Sequence, residues 1–202
     1  PSFPIAVACD PAFNFVYEAN IRYLHHLGEV TYFSPLADTS LPDAGFVYLP
    51  GGYPELYLAA LSANRQMLQS IRRYVESGGK LLAECGGMMY LCDEIRDKNG
   101  DVYPMAGVLH QSATMENMKL RLGYRTLLCN ETRLKGHEFH YSRLVEQQNP
   151  LPSCAVAYTA KGVETDTPLY HYKNVWAGYT HLYWADPVGN EWFTKFVIDG
   201  NT

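Results

Sequence analysis

One cysteine in this chain has surroundings that suit nucleophilic chemistry. Cys85 follows the run Lys80-Leu81-Leu82-Ala83-Glu84 and precedes Gly86-Gly87. A short apolar run that turns at once into a glycine-led helix holds the cysteine on a sharp strand-to-helix turn, where small neighbours relieve the crowding. Its sulfur then faces a helix amino terminus, which favours thiolate, and the Gly86 amide points where an oxyanion would form. The plainer alternative is a small buried cysteine ahead of a glycine-rich helix start. Cys9, Cys92, Cys129 and Cys154 lack such a setting and read as buried structural thiols.

A second glycine pair lies in Pro50-Gly51-Gly52-Tyr53-Pro54-Glu55, directly after the apolar run Phe46-Val47-Tyr48-Leu49. Gly51 and Gly52 let backbone approach a ligand closely, and amides from both loops together make an oxyanion hole. An ordinary turn closed by Pro54 is the alternative. A thiol nucleophile also needs a base. His181, in Gly178-Tyr179-Thr180-His181-Leu182-Tyr183-Trp184, lies near the end of a late strand about 100 residues after Cys85, which suits a Cys–His pair on a sheet. His137 and His140 are alternatives, although residues three apart on a strand face opposite sides. His25 and His26 fall on a first helix and read as surface residues. No set of ligands has zinc spacing, so no metal is expected.

The elements that position these residues alternate. Ile5–Cys9, Val30–Phe33, Phe46–Leu49 and Lys80–Glu84 read as strands. Helices are expected over Asn14–Leu27, ending at Gly28, over Leu61–Val75, and from Gly86 through Cys92. Such alternation predicts an α/β fold with a doubly wound, mostly parallel sheet, whose ligands sit beyond the carboxyl ends of the strands. Both glycine pairs fall there. In the second half, Leu120–Leu128, Phe139–Val145, Cys154–Tyr158 and Val175–Trp184 read as strands, extending the sheet antiparallel, with a last helix over Glu191–Ile198.

Composition narrows the function. The chain has 202 residues, 47 % hydrophobic and 18 % charged, enough for one domain with a real core. A net charge of −5 argues against nonspecific nucleic-acid binding. No apolar run reaches the roughly 18 residues of a membrane span, and the first residues lack the pattern of a signal peptide. Five cysteines without a CxxC pair suit a reducing cytoplasm. There is no GxxxxGK[ST] phosphate loop and no GxGxxG after the first strand, so no nucleotide cofactor is expected in this chain.

The motifs together resemble a family. Ala8-Cys9-Asp10-Pro11-Ala12-Phe13-Asn14-Phe15-Val16-Tyr17 with Asn20, then Phe33-Ser34-Pro35-Leu36, Leu49-Pro50-Gly51-Gly52-Tyr53-Pro54-Glu55 and Ala83-Glu84-Cys85-Gly86-Gly87-Met88-Met89-Tyr90-Leu91 are similar to the amidotransferase domain of cobyrinate a,c-diamide synthases. Gly123-Tyr124-Arg125, Gly136-His137-Glu138-Phe139-His140-Tyr141-Ser142 and Thr180-His181 continue the likeness in the family's order, over nearly the whole chain.

The resemblance implies a class I glutamine amidotransferase, flavodoxin-like fold over 1–202, with Cys85 and His181 as its catalytic pair and Gly51, Gly52 and Gly86 at the oxyanion. It also implies glutamine hydrolysis and delivery of ammonia to an ATP-dependent synthetase domain, which normally precedes this one in the same polypeptide and would carry the ATP and magnesium. Related acceptors (hydrogenobyrinate, nickel-sirohydrochlorin, a cell-wall lipid) stay open, as do a cysteine hydrolase of another class and an inactive docking domain. One departure stands out. The wider class has an acid two residues after the histidine, and here that residue is Tyr183. Glu84, Asp186, Glu138 or a backbone carbonyl are the candidates to orient His181.

Overall fold

The computed structural model describes residues 3–199, so the expected domain bounds 1–202 reach outside the described residues. Strands β1 (Phe3–Ala8), β2 (Gly28–Phe33), β3 (Phe46–Leu49) and β4 (Lys80–Glu84) alternate with helices α1 (Glu18–Leu27), α2 (Leu58–Ala63), α3 (Arg65–Glu76) and α4 (Gly86–Leu91), except that β2 and β3 are joined by a loop. Short strands β5 (Glu94–Arg96), β6 (Val102–Pro104) and β7 (Ser112–Thr114) follow. A long hairpin of β8 (Arg121–Cys129) and β9 (Thr132–His140) then leads to β10 (Arg143–Leu144), β11 (Val156–Thr159) and β12 (Glu164–Thr165). Strands β13 (Leu169–Tyr172), β14 (Val175–Gly178), β15 (His181–Leu182) and helix α5 (Pro187–Thr194) follow, and α5 runs on into a π-helical turn over Lys195–Asp199.

The main sheet has the order β13-β14-β4-β3-β1-β2, parallel throughout except for β13. Its central strands β14, β4 and β3 and most of β1 are buried on both faces, as helices on both sides require, whereas the edge strand β2 is largely exposed. Ala6, Ala8, Val47, Leu49, Leu81 and Ala83 face the core formed with α2, α3 and α4. Ile5, Val7, Phe46, Tyr48 and Leu82 face the opposite core, where Trp184, Trp192, Phe193 and Leu24 pack. This is the expected doubly wound sheet.

The antiparallel strands depart from expectation. Of the second-half strands, β14 joins the main sheet parallel to β4, and β13 adds to it antiparallel. Strands β12-β11-β8-β9-β15 form a second sheet, and β10-β7-β5-β6 a third. The expected strand Val175–Trp184 is two strands, because the chain leaves the main sheet after Gly178 and joins β9 at His181. The helix expected from Asn14 starts at Glu18, since Phe15 donates its amide to Gly51 O at 3.0 Å and holds 14–17 extended beside the glycine loop. Gly28 does close α1, its amide donating to Leu24 O, and in extended backbone it also opens β2. The long helix expected over Leu61–Val75 breaks at Asn64, whose side chain caps α3 through Met67 N. The last helix begins earlier, at Pro187, with Asp186 as its cap.

Candidate active site

Cys85 sits between β4 and α4 with φ 50° and ψ −108°, a conformation that L-residues avoid and that a surrounding structure must impose. The turn is tight: a Cβ on Gly86 would lie 2.7 Å from the Pro54 ring. The Cys85 thiol donates to Phe139 O at 3.6 Å.

Two loops and two late strands close around it. Cys85, Gly52, His181, His137, Phe139, Phe15 and Tyr53 line one cavity of about 210 Å³. Two larger surface pockets, about 580 and 760 Å³, contain neither Cys85 nor His181. Gly51 packs under the His181 ring: a Cβ there would stand 2.9 Å from Nδ1 and nearer still to Cε1. Gly52 takes φ +152°, and a Cβ there would run into the Ala12 carbonyl oxygen and stand 3.0 Å from Phe13 Cα. Phe15 covers the ring, with centroids 4.4 Å apart.

The position of His181 depends on side chains, because β15 has only two residues. On one flank His181 and Leu182 pair with His137 and Gly136 of β9. On the other, the Leu182 amide donates to Glu84 Oε2 and the Leu182 carbonyl accepts from Asn20 Nδ2 at 2.8 Å. Asn20 Oδ1 also accepts from Trp184 N at 2.9 Å. Tyr48 OH donates to Glu84 Oε1. The carboxyl group adjacent in sequence to Cys85 therefore reaches the histidine strand through a backbone amide, not through the ring.

None of the candidate acids touches the ring. Glu84 is engaged as described. Glu138 accepts from Arg125 Nε at 2.6 Å and Thr167 Oγ1 at 2.7 Å, and meets His140 Nε2 at 2.7 Å. Asp186 accepts from Gly189 N at 2.6 Å. Among the described residues, none offers a hydrogen-bond partner to the buried His181 Nδ1. His137 shares the cavity with His181, whereas His140 points inward, between Glu138 and Ser142 O and stacked on Tyr179 at 3.6 Å. His25 and His26 are exposed, as their helix position suggests.

Burial sets the charge states. It pulls the His181 imidazole down to about 4, reinforced by His137 and His140, so the ring is neutral at neutral pH and free to accept a proton. Burial also pushes the Cys85 thiol up, Glu55 adds to this, and the Gly86 amide opposes it without compensating. The thiolate expected from the helix terminus is therefore not the resting form: α4 is under two turns long, and its field is outweighed by desolvation. Burial raises Glu84 to about 8 against the bonds from Tyr48 and Leu182. Two of the cysteines expected to be buried, Cys9 and Cys154, are exposed.

Several residues here escaped the sequence reading. Phe139 contributes a carbonyl, which no side-chain pattern reveals. Tyr48 read only as a strand residue. Asn20 stood in the family-like run, but nothing local tied it to a strand about 160 residues away.

The comparisons fit this geometry. CobB/CobQ-like glutamine amidotransferase domains match residues 4–188. Hydrogenobyrinate a,c-diamide synthase of Pseudomonas aeruginosa is 40 % identical over 89 % of this chain, and cobyrinate a,c-diamide synthase of Fusobacterium nucleatum is 40 % identical over 89 %. The chain spans 41 % of the length of each. PurLQS from Thermotoga maritima has the same fold, with TM-score 0.61 and 16 % identity over 98 % of this chain and 97 % of that one. No helix among the described residues is long and apolar enough to cross a membrane. The parallel sheet with its cysteine turn, and a match running almost end to end, place this chain in the CobB/CobQ-like family of glutamine amidotransferase domains.

Proposed function

We propose that this chain hydrolyses glutamine at Cys85 and passes the ammonia to an ATP-dependent synthetase that amidates the a and c carboxylates of a corrin. The observation that carries the reading is the shared cavity of Cys85, His181 and the Gly51-Gly52 loop. Neutral His181 takes the thiol proton as the sulfur attacks the carboxamide carbon. The Gly86 amide and those near Gly52 stabilise the oxyanion, each such donor contributing about 3 kcal/mol. The imidazolium then gives its proton to the leaving nitrogen, ammonia departs, and a glutamyl thioester remains. Neutral His181 next activates water, which releases glutamate and restores the thiol. A cavity of about 210 Å³ suits a small amide better than a polypeptide, which favours this reading over a peptidase.

The synthetase, with its ATP and magnesium, is the partner of this reading; the relatives extend well beyond the 41 % that this chain spans, which leaves room for such a domain. Relatives named for cobyrinate and for hydrogenobyrinate are equally similar, which supports a reading in which the partner, not this chain, selects the acceptor. Phe15, Tyr53 and Tyr124 stand exposed at the cavity rim, Tyr124 packed edge-on to His137, and Leu122 is exposed on the same strand. This apolar rim is where the synthetase docks and keeps ammonia from water. The setting is the cytoplasm. The test is glutamate release at saturating glutamine while the synthetase and its substrates are titrated in. A weak basal rate that rises with partner is expected, and a diazo-ketone glutamine analogue labels Cys85 alone. No rate response to a partner that demonstrably binds, or equal labelling of Cys9, defeats the proposal.

A further inference from the structure

The pocket of about 760 Å³ opens where the three sheets meet. In the third sheet β10 pairs antiparallel with β7, Arg143 opposite Thr114, and the Val145 amide donates to Ser112 O at 2.8 Å. That ladder brings Gln111, just before β7, beside 143–147. In the second sheet Arg121 of β8 stands opposite His140 of β9, and Leu122 opposite Phe139. Directly opposed residues share a face and successive ones alternate, so Arg121 and His140 lie on one face and Phe139, which lines the Cys85 cavity, on the other. The main sheet adds Tyr170 of β13 and Tyr179, just after β14. The pocket therefore backs onto the sheet whose other face closes the Cys85 cavity.

Most polar groups of its inner wall are already engaged. His140 is held between Ser142 O and Glu138, both at 2.7 Å, and Ser142 Oγ meets Tyr179 OH at 2.9 Å and Met89 Sδ at 3.3 Å. The Gln111 carboxamide is the exception. Gln111 lines the pocket at 2 % exposure, and its buried Nε2 has no hydrogen-bond partner among the described residues. Buried donors are rarely left so, and one that lines an open pocket marks where an acceptor belongs. The rim carries charge. Asp166 pairs with Arg121, which leaves the exposed Lys119 and Arg143 facing one carboxylate, Glu146. Among the described residues neither Lys119 nor Arg143 has an ion-pair partner.

We propose that this pocket binds a small dicarboxylate, one carboxylate accepting from the Gln111 carboxamide and the other held by Lys119 and Arg143. Donors at two depths, one amide in the floor and two cations at the rim, suit an anion charged at both ends. The volume is that of a small-molecule site. No lining residue belongs to a helix, so the clustered amides with which helix N-termini take phosphate are absent from this wall. The proposal is independent of the reaction assigned to Cys85.

The test is calorimetric titration of succinate into the purified chain at low ionic strength. Saturable binding with a Kd of about 1 mM or tighter is expected. Gln111→Leu is expected to weaken it by about tenfold while Tm holds or rises, because the variant removes an unpaired buried amide. Arg143→Gln, at an exposed position where the fold is not at stake, is expected to weaken binding by about tenfold and to flatten its dependence on salt. Chain whose Cys85 has been alkylated by a diazo-ketone glutamine analogue should bind succinate as the free chain does. Loss of binding on that alkylation would place the anion in the Cys85 cavity and overturn the proposal. So would an affinity unchanged in both variants, inorganic phosphate bound as tightly as succinate, or no heat of binding at millimolar succinate.

Discussion

Gly51→Ala tests the placement of the base with a single methyl group. The new Cβ would stand 2.9 Å from His181 Nδ1 and nearer to Cε1, where ordinary contact needs about 3.5 Å or more. Neither side yields easily. Phe15 covers the ring from 4.4 Å, and β15 is held by Glu84, Asn20 and β9. Clearing the overlap moves the imidazole by about 1 Å. A misplacement of that size in a reacting group costs about 10²-fold in rate, or about 2.7 kcal/mol of barrier. Gly51 does not have a positive φ, so the backbone itself accepts alanine and the fold survives. The assay is steady-state glutamate release with Tm measured alongside. A kcat near 1 % of wild type with Tm within a few degrees is expected. A kcat within twofold of wild type at unchanged Tm would mean that His181 does not act from the position described, and the proposed pairing with Cys85 would fail.

Cys85→Ser should leave Tm nearly unchanged and abolish glutamate release, and measurable turnover in that variant refutes the nucleophile. His181→Ala should slow glutamine hydrolysis by about 10²- to 10⁴-fold, and His137→Ala, which keeps the buried ring of His181, should cost less; the reverse order in kcat would move the base to His137. Burial opposes ionisation of Glu138, but bonds from His140 and Thr167 and the charges of His140 and Arg125 hold it at about 2. Its contribution to stability is thus present above the ordinary carboxylate pKa, near 4.5, and is lost as pH falls through about 2. Glu138→Gln should lower Tm at pH 7, by breaking a buried ion pair, an effect of about 3–5 kcal/mol. It should also flatten the acid limb of a Tm-against-pH curve, and an unchanged limb counts against the network.

The cysteine turn and the glycine loop were legible because their constraints are local. A positive φ at Cys85 and a close backbone approach at Gly52 are written in the residues on either side. The central strands were legible for a similar reason, since burial on both faces leaves an uninterrupted apolar run such as Phe46-Val47-Tyr48-Leu49. The first part of β9 was not. Thr132-Arg133-Leu134-Lys135-Gly136 buries only every second residue and interrupts itself with glycine, so its apolar content is too thin to signal a strand. The break between α2 and α3 was masked because apolar spacing continues across Asn64, whose capping bond appears only in three dimensions. The support of His181 was illegible for a deeper reason. It consists of a carboxyl group on an amide, a carboxamide on a carbonyl and a phenol on a carboxyl group, all joining residues far apart in the chain.

That support has a consequence for the order in which the molecule matures. Strands β1, β3 and β4, with the Pro54 loop that packs on Gly86, can assemble around the Cys85 turn while the last part of the chain is still unfolded. His181 has no local means of reaching its place. It arrives only when Leu182 closes on Asn20, 162 residues away, and on Glu84, 98 residues away. Contacts of that separation form late, because loop closure must precede any gain from them. A folding or partly unfolded chain therefore presents a cysteine without its histidine, and glutaminase activity in such a molecule reports the completion of its longest-range contacts.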